Sequence, residues 1–242
     1  MDEALVAKYP ELERDHFWWA TRRALVTHLV EEISGPDPIR ILDVGCGSGM
    51  TASALVPLGA SVVGVDLETH GHLHVPAEVE LIEGDYLTLA GGLGSFEVVL
   101  ALDSIEHFAD EPEVISALTG NVAPGGHLIT TVPAYRFLWS SHDDTNMHYR
   151  RYTAQRLRTA LAASDLEVTR IGYVFAALTL PKLLLSTWER VSGKGAPAGT
   201  EVGGSANSMA ASYFELETQL AKRRRNFLPF GTSVVAVARR PA

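Results

Sequence analysis

A glycine-rich segment with a carboxylate just before it offers the clearest chemistry in the sequence. Asp43 lies two residues before Gly45, and Gly47 and Gly49 continue a series of alternate glycines. Glycines at this spacing let the backbone approach a ligand closely at the N-terminus of a helix. A carboxylate here repels a phosphate and attracts a cation, so we expect a ligand with an ammonium or sulfonium group. Taken alone, the motif is also compatible with a tight turn that binds nothing.

A dinucleotide is the ligand that the spacing argues against. The dinucleotide fingerprint requires glycine or alanine five residues after its first glycine. Counted from Gly45, that position holds Met50. An NAD-dependent oxidoreductase is therefore a disfavoured alternative.

Further acidic residues follow three apolar segments of the chain, namely Asp66, Asp85 and Asp103. If the segments are parallel strands, these side chains meet at one sheet edge, where ligands of open α/β sheets bind. Asp66 lies about twenty residues after the glycines, at the spacing of a carboxylate that binds ribose hydroxyls. Each aspartate alone is equally compatible with a helix cap or a turn.

A polar and aromatic segment, residues 139–152, contains the candidates for proton transfer. His142, Asp143 and His148 are the predicted catalytic residues, because histidine exchanges protons near neutral pH. The sequence does not establish whether the three side chains converge. The alternative is a purely structural loop, ordered by Arg150 and Arg151 through hydrogen bonds to backbone carbonyls.

A second aromatic cluster lies near the N-terminus, where Trp18 and Trp19 are followed by Arg22 and Arg23. By themselves these residue types are compatible with an amphipathic helix that packs through its aromatic side chains.

These candidates have to be positioned by alternating strands and helices. The expected strands are 39–44, 61–66, 79–83, 96–102, 127–132, 166–173 and 233–238. Expected helices cover 51–57, 111–122 and, with Thr153 as N-cap, the residues up to 162. Short apolar strands that alternate with helices predict a doubly wound, mostly parallel α/β sheet of seven strands.

A long insert, residues 174–230, separates the last two predicted strands and is helical in pattern. It is longer than ordinary connections, which suggests a functional or oligomeric role. Three interpretations remain: the roof of an acceptor pocket formed by Leu183 and Leu184, a homodimer interface, or a surface for peripheral membrane contact. The pocket roof is favoured, since a small apolar acceptor needs such a wall.

Taken together, the motifs resemble the class I S-adenosylmethionine-dependent methyltransferases, in particular their small-molecule branch. Four segments carry the resemblance: ILDVGCGSG at 41–49, GVD at 64–66, EGDY at 83–86 and FEVVLALDSIEH at 96–107. The Pro-Gly-Gly at 124–126 matches the turn before the fifth strand. The resemblance implies a Rossmann-like fold whose seventh strand runs antiparallel between strands five and six.

The resemblance also implies S-adenosylmethionine as cofactor, methyl transfer to a small-molecule acceptor by in-line displacement, and a set of cofactor-binding residues. Asp85 is expected at the adenine amino group, Tyr86 at the adenine ring, and His107 near the methionine portion. In the family an aromatic and basic N-terminal helix folds over the cofactor as a lid, so the resemblance also implies that Trp18 or Trp19 shields the sulfonium and that Arg22 or Arg23 pairs with the cofactor carboxylate. The full set comprises Trp18, Trp19, Arg23, Asp43, Gly45, Cys46, Gly47, Gly49, Asp66, Leu67, Gly84, Asp85, Tyr86, Leu102, Asp103 and His107.

Composition limits the classes of partner that we expect the chain to bind. A net charge of −9 argues against nucleic acid, and the basic run at 222–225 reads as a solvated helix face. No stretch is a clean membrane span, and the start does not look like a signal peptide, so cytoplasmic residence is expected. Cys46, the one cysteine, is expected to pack. No metal site is predicted, because His70, His72 and His74 lie in a probable loop with a glycine among them.

We therefore expect one methyltransferase domain over residues 1–242, with a helical lid at 1–35 and a helical cap at 174–230. Two alternatives stay open. One is an enzyme that binds the same cofactor for other chemistry, such as a cyclisation, and the other is a non-catalytic adaptor with a retained fold. The acceptor, the methylated atom, the oligomeric state and the pathway are not established by the sequence.

Overall fold

A seven-stranded sheet forms the centre of the computed structural model, which describes residues 13–14, 16–35, 37–68, 75–194, 213, 217, 219 and 227–242. The strands are β1 (Ile39–Val44), β2 (Ala60–Asp66), β3 (Val79–Glu83), β4 (Phe96–Leu102), β5 (Val122–Pro133), β6 (Glu167–Val174) and β7 (Ser233–Arg239). Their order is β3-β2-β1-β4-β5-β7-β6. Only β7 runs antiparallel to its neighbours. The prediction of a doubly wound, mostly parallel sheet with the last strand between the fifth and sixth is confirmed.

Helices cover both faces of this sheet, which is why the central strands are apolar almost throughout. The helices are α1 (Phe17–Ile33), α2 (Met50–Leu55), α3 (Tyr86–Leu93), α4 (Glu111–Asn121), α5 (Ser141–Thr145), α6 (Ala154–Ala162) and α7 (Thr179–Ser192). Side chains of α1 and α2 pack with Ile41 and Val98 on one face. Those of α3, α4 and α6 pack with Leu42 and Val99 on the other. In β1 only Arg40 is exposed.

Side-chain caps fix where several helices begin. Thr153 caps α6 as predicted, since its side chain accepts a hydrogen bond from the Arg156 amide. Asp110 caps α4 in the same way through the Glu113 amide. At α1 the cap is His16, whose ring accepts from the Trp18 amide at 3.2 Å. Such caps satisfy amides that have no partner within the helix.

The Pro-Gly-Gly segment does not form the predicted turn. β5 already begins at Val122 and includes this segment, and the pairing with β4 shifts register between Phe96 and Val98. Gly125 has φ of +78°, a conformation that favours glycine. A Cβ on Gly126 would lie 2.8 Å from the Glu97 carbonyl oxygen, so the strands approach too closely for a larger residue.

The long continuous part of the insert that the structure describes consists of α7 and the short 3-10 turn Ala176–Leu178 before it. Its apolar side chains face outward: Leu184 is 63% exposed and Trp188 48%. The buried positions of α7 are polar, Ser186 and Glu189. Leu184 is thus turned away from the domain, whereas Leu183 is half-buried, and the pocket roof predicted from these two residues stays a prediction. The basic run 222–225 and the histidines at 70–74 lie outside the described residues.

The N-terminal helix belongs partly to the core, and its function as a lid stays a prediction. The second half of α1 packs in the core through Leu25, Val26, Leu29 and Val30. Its first turns carry the aromatic and basic residues that reach the sheet edge. None of the described helices has the length and hydropathy of a bilayer span.

Candidate active site

The glycine loop joins β1 to α2 and is left-handed at all three glycines. φ is +80° at Gly45, +55° at Gly47 and +76° at Gly49. A Cβ on Gly45 would lie only 2.8 Å from the Cβ of Ser104. The absence of side chains therefore lets the loop pass directly against the chain that follows β4.

Asp66, at the end of β2, holds this loop. The Gly47 amide donates to Asp66 Oδ2 at 2.8 Å. Among the described residues, Oδ1 receives one long contact, 3.4 Å, from the Glu68 amide. Beside it Leu67 is 69% exposed. The predicted contact of Asp66 with ribose hydroxyls stays a prediction, and Oδ1 is the atom best placed for it.

Asp43 lies beneath the loop and is almost fully buried, at 1% exposure. Its Oδ1 has no hydrogen-bond partner among the described residues. Burial raises the pKa of this carboxyl to about 7, although Arg22 acts in the opposite direction. An unsatisfied buried carboxylate is costly by itself. The arrangement therefore fits a cationic ligand, such as the ammonium or sulfonium that the sequence predicts.

Arg22 is the arginine that reaches the sheet edge. Its Nη1 lies 2.7 Å from Asp103 Oδ2 and donates to the Leu102 carbonyl at 3.3 Å. Thr131 also donates to Asp103 Oδ2, at 2.9 Å. Arg23 instead lines an outer groove between α1 and α2, and its Nη1 donates to the Glu13 carbonyl. This position does not favour the predicted cofactor role of Arg23, whereas Arg22 lies at the sheet edge.

Glu13 was not predicted as a site residue, yet it contacts the glycine loop. Its carboxylate accepts hydrogen bonds from the amide and the hydroxyl of Ser48. Burial raises the pKa of Glu13, against the effect of the hydrogen bonds from Ser48. No motif marks this residue, because only the folding of the N-terminal segment onto the loop brings it there.

On the adenine side, the predicted residues divide between surface and core. Asp85 is exposed and caps α3 through Thr88, whose hydroxyl lies 2.7 Å away. Tyr86 is 3% exposed, and its hydroxyl donates to Asn121 Oδ1 at 2.8 Å. The Tyr86 ring packs in the core, which does not favour the predicted contact with adenine. Gly84 is held by the Asp66 carbonyl, to which its amide donates at 2.8 Å.

Two further predicted contacts can be placed. Cys46 is buried, and its Sγ would lie 2.8 Å from a Cβ on Gly64, so the thiol packs against β2. Any contact of Cys46 with the cofactor would therefore be made by its backbone atoms. The rings of Trp18 and Phe175 stack at 5.9 Å, with Trp19 edge-on to Trp18 at 5.2 Å. The guanidinium of Arg22 lies 4.7 Å from the Trp18 ring centre.

Asp143 is the hub of the predicted catalytic segment and is fully buried. Its Oδ1 lies 2.9 Å from His148 Nδ1 and accepts from Arg151 Nε at 2.7 Å. Its Oδ2 accepts from Arg151 Nη2 at 3.0 Å and from the Ser140 amide at 2.9 Å. Burial alone would raise the pKa of Asp143, but the hydrogen bonds from His148 and Arg151 hold it below its usual range.

The three predicted catalytic side chains converge only in part. Asp143 and His148 form a pair, whereas the His142 ring centre lies 6.5 Å from that of His148. Its Nε2 lies 3.0 Å from Asn146 Nδ2. Partial desolvation and the Lys182 ammonium lower the pKa of His142 to about 4. His142 thus stands beside the pair rather than within it.

The chain after β4 brings two more groups to this pair. The rings of His107 and His148 meet edge to face, with centres 4.7 Å apart. Glu106 is fully buried, and neither of its carboxylate oxygens has a hydrogen-bond partner among the described residues. Burial, reinforced by Asp103, raises the pKa of Glu106 well above its usual value. The neighbouring His107 is predicted to contact the cofactor's methionine portion.

Comparison with known proteins places this architecture in a family. Residues 18–171 match the family described as a methyltransferase domain. A Mycolicibacterium smegmatis protein named as a probable S-adenosylmethionine-dependent methyltransferase is 27% identical over 180 residues, covering 72% of this chain and 68% of that protein. A ubiquinone biosynthesis O-methyltransferase of Thiobacillus denitrificans is 32% identical over 145 residues, covering 52% of this chain and 61% of that enzyme.

Solved structures share the fold at low sequence identity. The 4+2 cyclase SpnF superposes with a TM-score of 0.57 at 18% identity, over 93% of this chain and 82% of that one. A cyclase on the same framework shows that the fold alone does not decide the reaction. The family match, which covers more than half of the chain, does decide the class: this chain belongs to the methyltransferase domain family and is an S-adenosylmethionine-dependent methyltransferase.

Proposed function

We propose that the chain transfers the methyl group to a hydroxyl oxygen of a small acceptor, and that His148 takes up the acceptor's proton. The observation that carries this proposal is the contact of 2.9 Å between Asp143 Oδ1 and His148 Nδ1. A histidine held by a buried carboxylate through one ring nitrogen presents the other nitrogen as a base. A hydroxyl acceptor agrees with the relatives named for O-methyl transfer.

S-Adenosylmethionine supplies a methyl group that its sulfonium already activates. What remains for the chain is to align the reactants and to exclude water. Asp43, with its unpartnered Oδ1, is proposed to bind the amino acid ammonium of the cofactor. Asp66 is proposed to bind the ribose, and Arg22 to pair with the cofactor's carboxylate. The last contact requires Arg22 to share or release Asp103.

The proton balance assigns one role to each member of the pair. As the new C–O bond forms and the C–S bond breaks, the acceptor proton moves to Nε2 of His148. Asp143 fixes the ring through Nδ1 and stabilises the imidazolium that results. Arg151 keeps Asp143 ionised, since it donates to both carboxylate oxygens. A phenolic hydroxyl suits this base best, because its pKa of about 10 is far closer to that of histidine than an aliphatic hydroxyl's.

The insert helix α7 is proposed to support, through its polar face, the acceptor side of the site, which is the segment that carries Asp143 and His148. Glu189 accepts from the amide and hydroxyl of Ser141 at 2.8 and 2.9 Å, and Lys182 donates to Ser140 at 2.7 Å. These contacts hold the start of α5, which carries Asp143. We assign the exposed apolar side chains of α7, namely Leu180, Leu184, Trp188 and Val191, to contact with a second copy of the chain, because adjacent exposed apolar side chains of this kind mark protein interaction surfaces. Sedimentation of a Leu184→Asp variant tests that assignment.

The test of the proposed function replaces His148 by glutamine. We expect kcat for a phenol panel, followed by mass gain of the acceptor, to fall by about 10²–10⁴-fold. Affinity for S-adenosylmethionine, measured by calorimetry, should stay within about twofold. His127→Gln is the matched control, because that histidine lies on β5 and contacts none of the site residues above. Unchanged turnover in His148→Gln, or methylation of amines only, would refute the proposal.

A further inference from the structure

The proposed base and two side chains beside it also have the chemistry of metal ligands. Glu106, His107 and His148 each offer one ligand atom, and among the described residues these atoms all lie within 4.8 Å of one another. Bonds of about 2.1 Å to one ion place ligand atoms roughly 3–4 Å apart, so small side-chain adjustments bring all three to one centre. We propose that Glu106, His107 and His148 bind a divalent transition-metal ion on the acceptor side of the site.

The unpartnered carboxylate of Glu106 is the first independent argument. Both of its oxygens are buried without a hydrogen-bond partner in the described part of the chain. A buried charge needs an ion pair or a metal, and a buried neutral carboxyl still needs hydrogen bonds. The backbone amide of Tyr149 donates to the backbone carbonyl of Glu106, at 2.9 Å, and leaves the Glu106 side chain unsatisfied. A bound cation would satisfy it.

The surroundings of the two histidines are the second argument. Histidines that bind metals usually donate their other ring N–H to a carboxylate or a backbone carbonyl, which fixes the ring. His148 Nδ1 lies 2.9 Å from the buried carboxylate of Asp143. The His107 ring packs edge to face against the His148 ring, with the ring centres 4.7 Å apart. His148 therefore already has its supporting contact and one nitrogen left for a ligand, and His107 lies directly beside it.

Two imidazoles and one carboxylate suit Zn²⁺, Co²⁺ or Mn²⁺ and leave coordination positions open. An acceptor hydroxyl that occupied one of these positions would lose its proton more readily, since the ion stabilises the oxyanion. The inference rests on the proposed methyl transfer to a hydroxyl and adds a second state of the same site: without the ion Nε2 of His148 is the base, and with the ion bound Nε2 is a ligand and the acceptor proton leaves to solvent. Methyl transfer and its products are otherwise unchanged.

Co²⁺ is the probe for this site, because its binding is visible by absorption as well as by calorimetry. We expect one Co²⁺ per chain in the absence of cofactor and acceptor. Glu106→Gln and His148→Gln should each weaken binding at least tenfold. Glutamine is close in shape to a protonated Glu106, so Glu106→Gln should keep the fold and the affinity for S-adenosylmethionine. Glu113→Gln, at an exposed position, and His127→Gln are the matched controls.

Three results would overturn the metal site: no stoichiometric Co²⁺ binding, equal affinity in Glu106→Gln, or loss of the ion on replacement of His70, His72 and His74 instead. The proposed function fails in a different way. In that case the protein binds S-adenosylmethionine and Co²⁺ but methylates no hydroxyl.

Discussion

On the proposed cofactor side of the site, the candidate groups lie at strand ends, whereas on the proposed acceptor side they lie in a connecting segment that other elements hold in place. Asp43 and Asp66 lie at the carboxyl ends of β1 and β2, and the Gly47 amide of the glycine loop is bonded to Asp66. Asp143 instead belongs to the short helix α5. Its position depends on Arg151 and on Glu189 of the insert.

The difference indicates how each side of the site should respond to a substitution. A strand end is positioned by the whole sheet, so one substitution there removes a contact without moving its neighbours. A hub such as Asp143 positions several partners at once, and its loss leaves Arg151 buried without its counter-charge. We therefore expect acceptor-side substitutions to combine catalytic and structural effects, and cofactor-side substitutions to separate them.

Asp143→Asn should have the largest effect. The variant removes the charge that supports an imidazolium at His148, and we expect kcat to fall by about 10²–10⁴-fold. Breaking the buried pair with Arg151 should also cost about 3–5 kcal/mol of unfolding free energy. Urea denaturation followed by circular dichroism measures the second effect, and turnover at low temperature isolates the first. Ser140→Ala, which removes a hydroxyl contact to Asp143, should cost only about 1 kcal/mol and retain turnover.

Asp43→Asn should come next and act on binding. Loss of one charge-assisted contact to the cofactor ammonium amounts to about 1.5–3 kcal/mol, or roughly 10–100-fold in Kd. Calorimetric titration with S-adenosylmethionine and S-adenosylhomocysteine checks this, and both ligands should lose affinity because both carry the ammonium. If only S-adenosylmethionine were affected, Asp43 would act on the sulfonium instead.

Asp43 also predicts a pH dependence for the ligand-free protein. Its pKa is raised by burial from 3.8 to about 7, so the folded state holds a proton that the unfolded state has released. Stability from this group is therefore present below pH 4 and is lost as the pH rises towards 7. Asp43→Asn should remove that loss and be more stable than the natural chain at pH 8, by about 1–3 kcal/mol. Glu13 and Glu106, whose pKa values are also raised, contribute in the same direction. Equal unfolding midpoints of the two proteins at pH 8 would contradict this account.

The sequence predicts the cofactor side of the site better than the acceptor side, because the two sides are positioned in different ways. The strands and the glycine loop follow from local residue patterns, because apolar runs and glycines at fixed spacing constrain the backbone directly. Arg22 and Arg23 are adjacent and alike in type, and only the rotation of α1 decides which one faces Asp103. Glu13, and the separation of His142 from His148, depend on contacts between distant segments that no local pattern encodes.

The adjacent arginines provide the next test. Arg22→Met should weaken S-adenosylmethionine binding about tenfold, because it removes a cation at the sheet edge. Arg23→Met, on the outer face of the same helix, should change Kd by less than about twofold. The pair controls for helix propensity, since both substitutions are the same. A larger loss of affinity in Arg23→Met than in Arg22→Met would restore the assignment of the cofactor contact to Arg23.

Glu189→Gln should have the smallest effect and identify what the insert contributes. The substitution weakens two hydrogen bonds to Ser141, at 2.8 and 2.9 Å, by removing the charge while keeping the shape. We expect a rise of about two- to tenfold in KM for the acceptor, corresponding to roughly 0.5–1.5 kcal/mol, with Kd for S-adenosylmethionine unchanged. Glu31→Gln, on exposed α1 surface, serves as the control. An equal change in cofactor affinity would mean that α7 supports the whole sheet edge, and the distinction between a rigid cofactor side and a supported acceptor side would not hold.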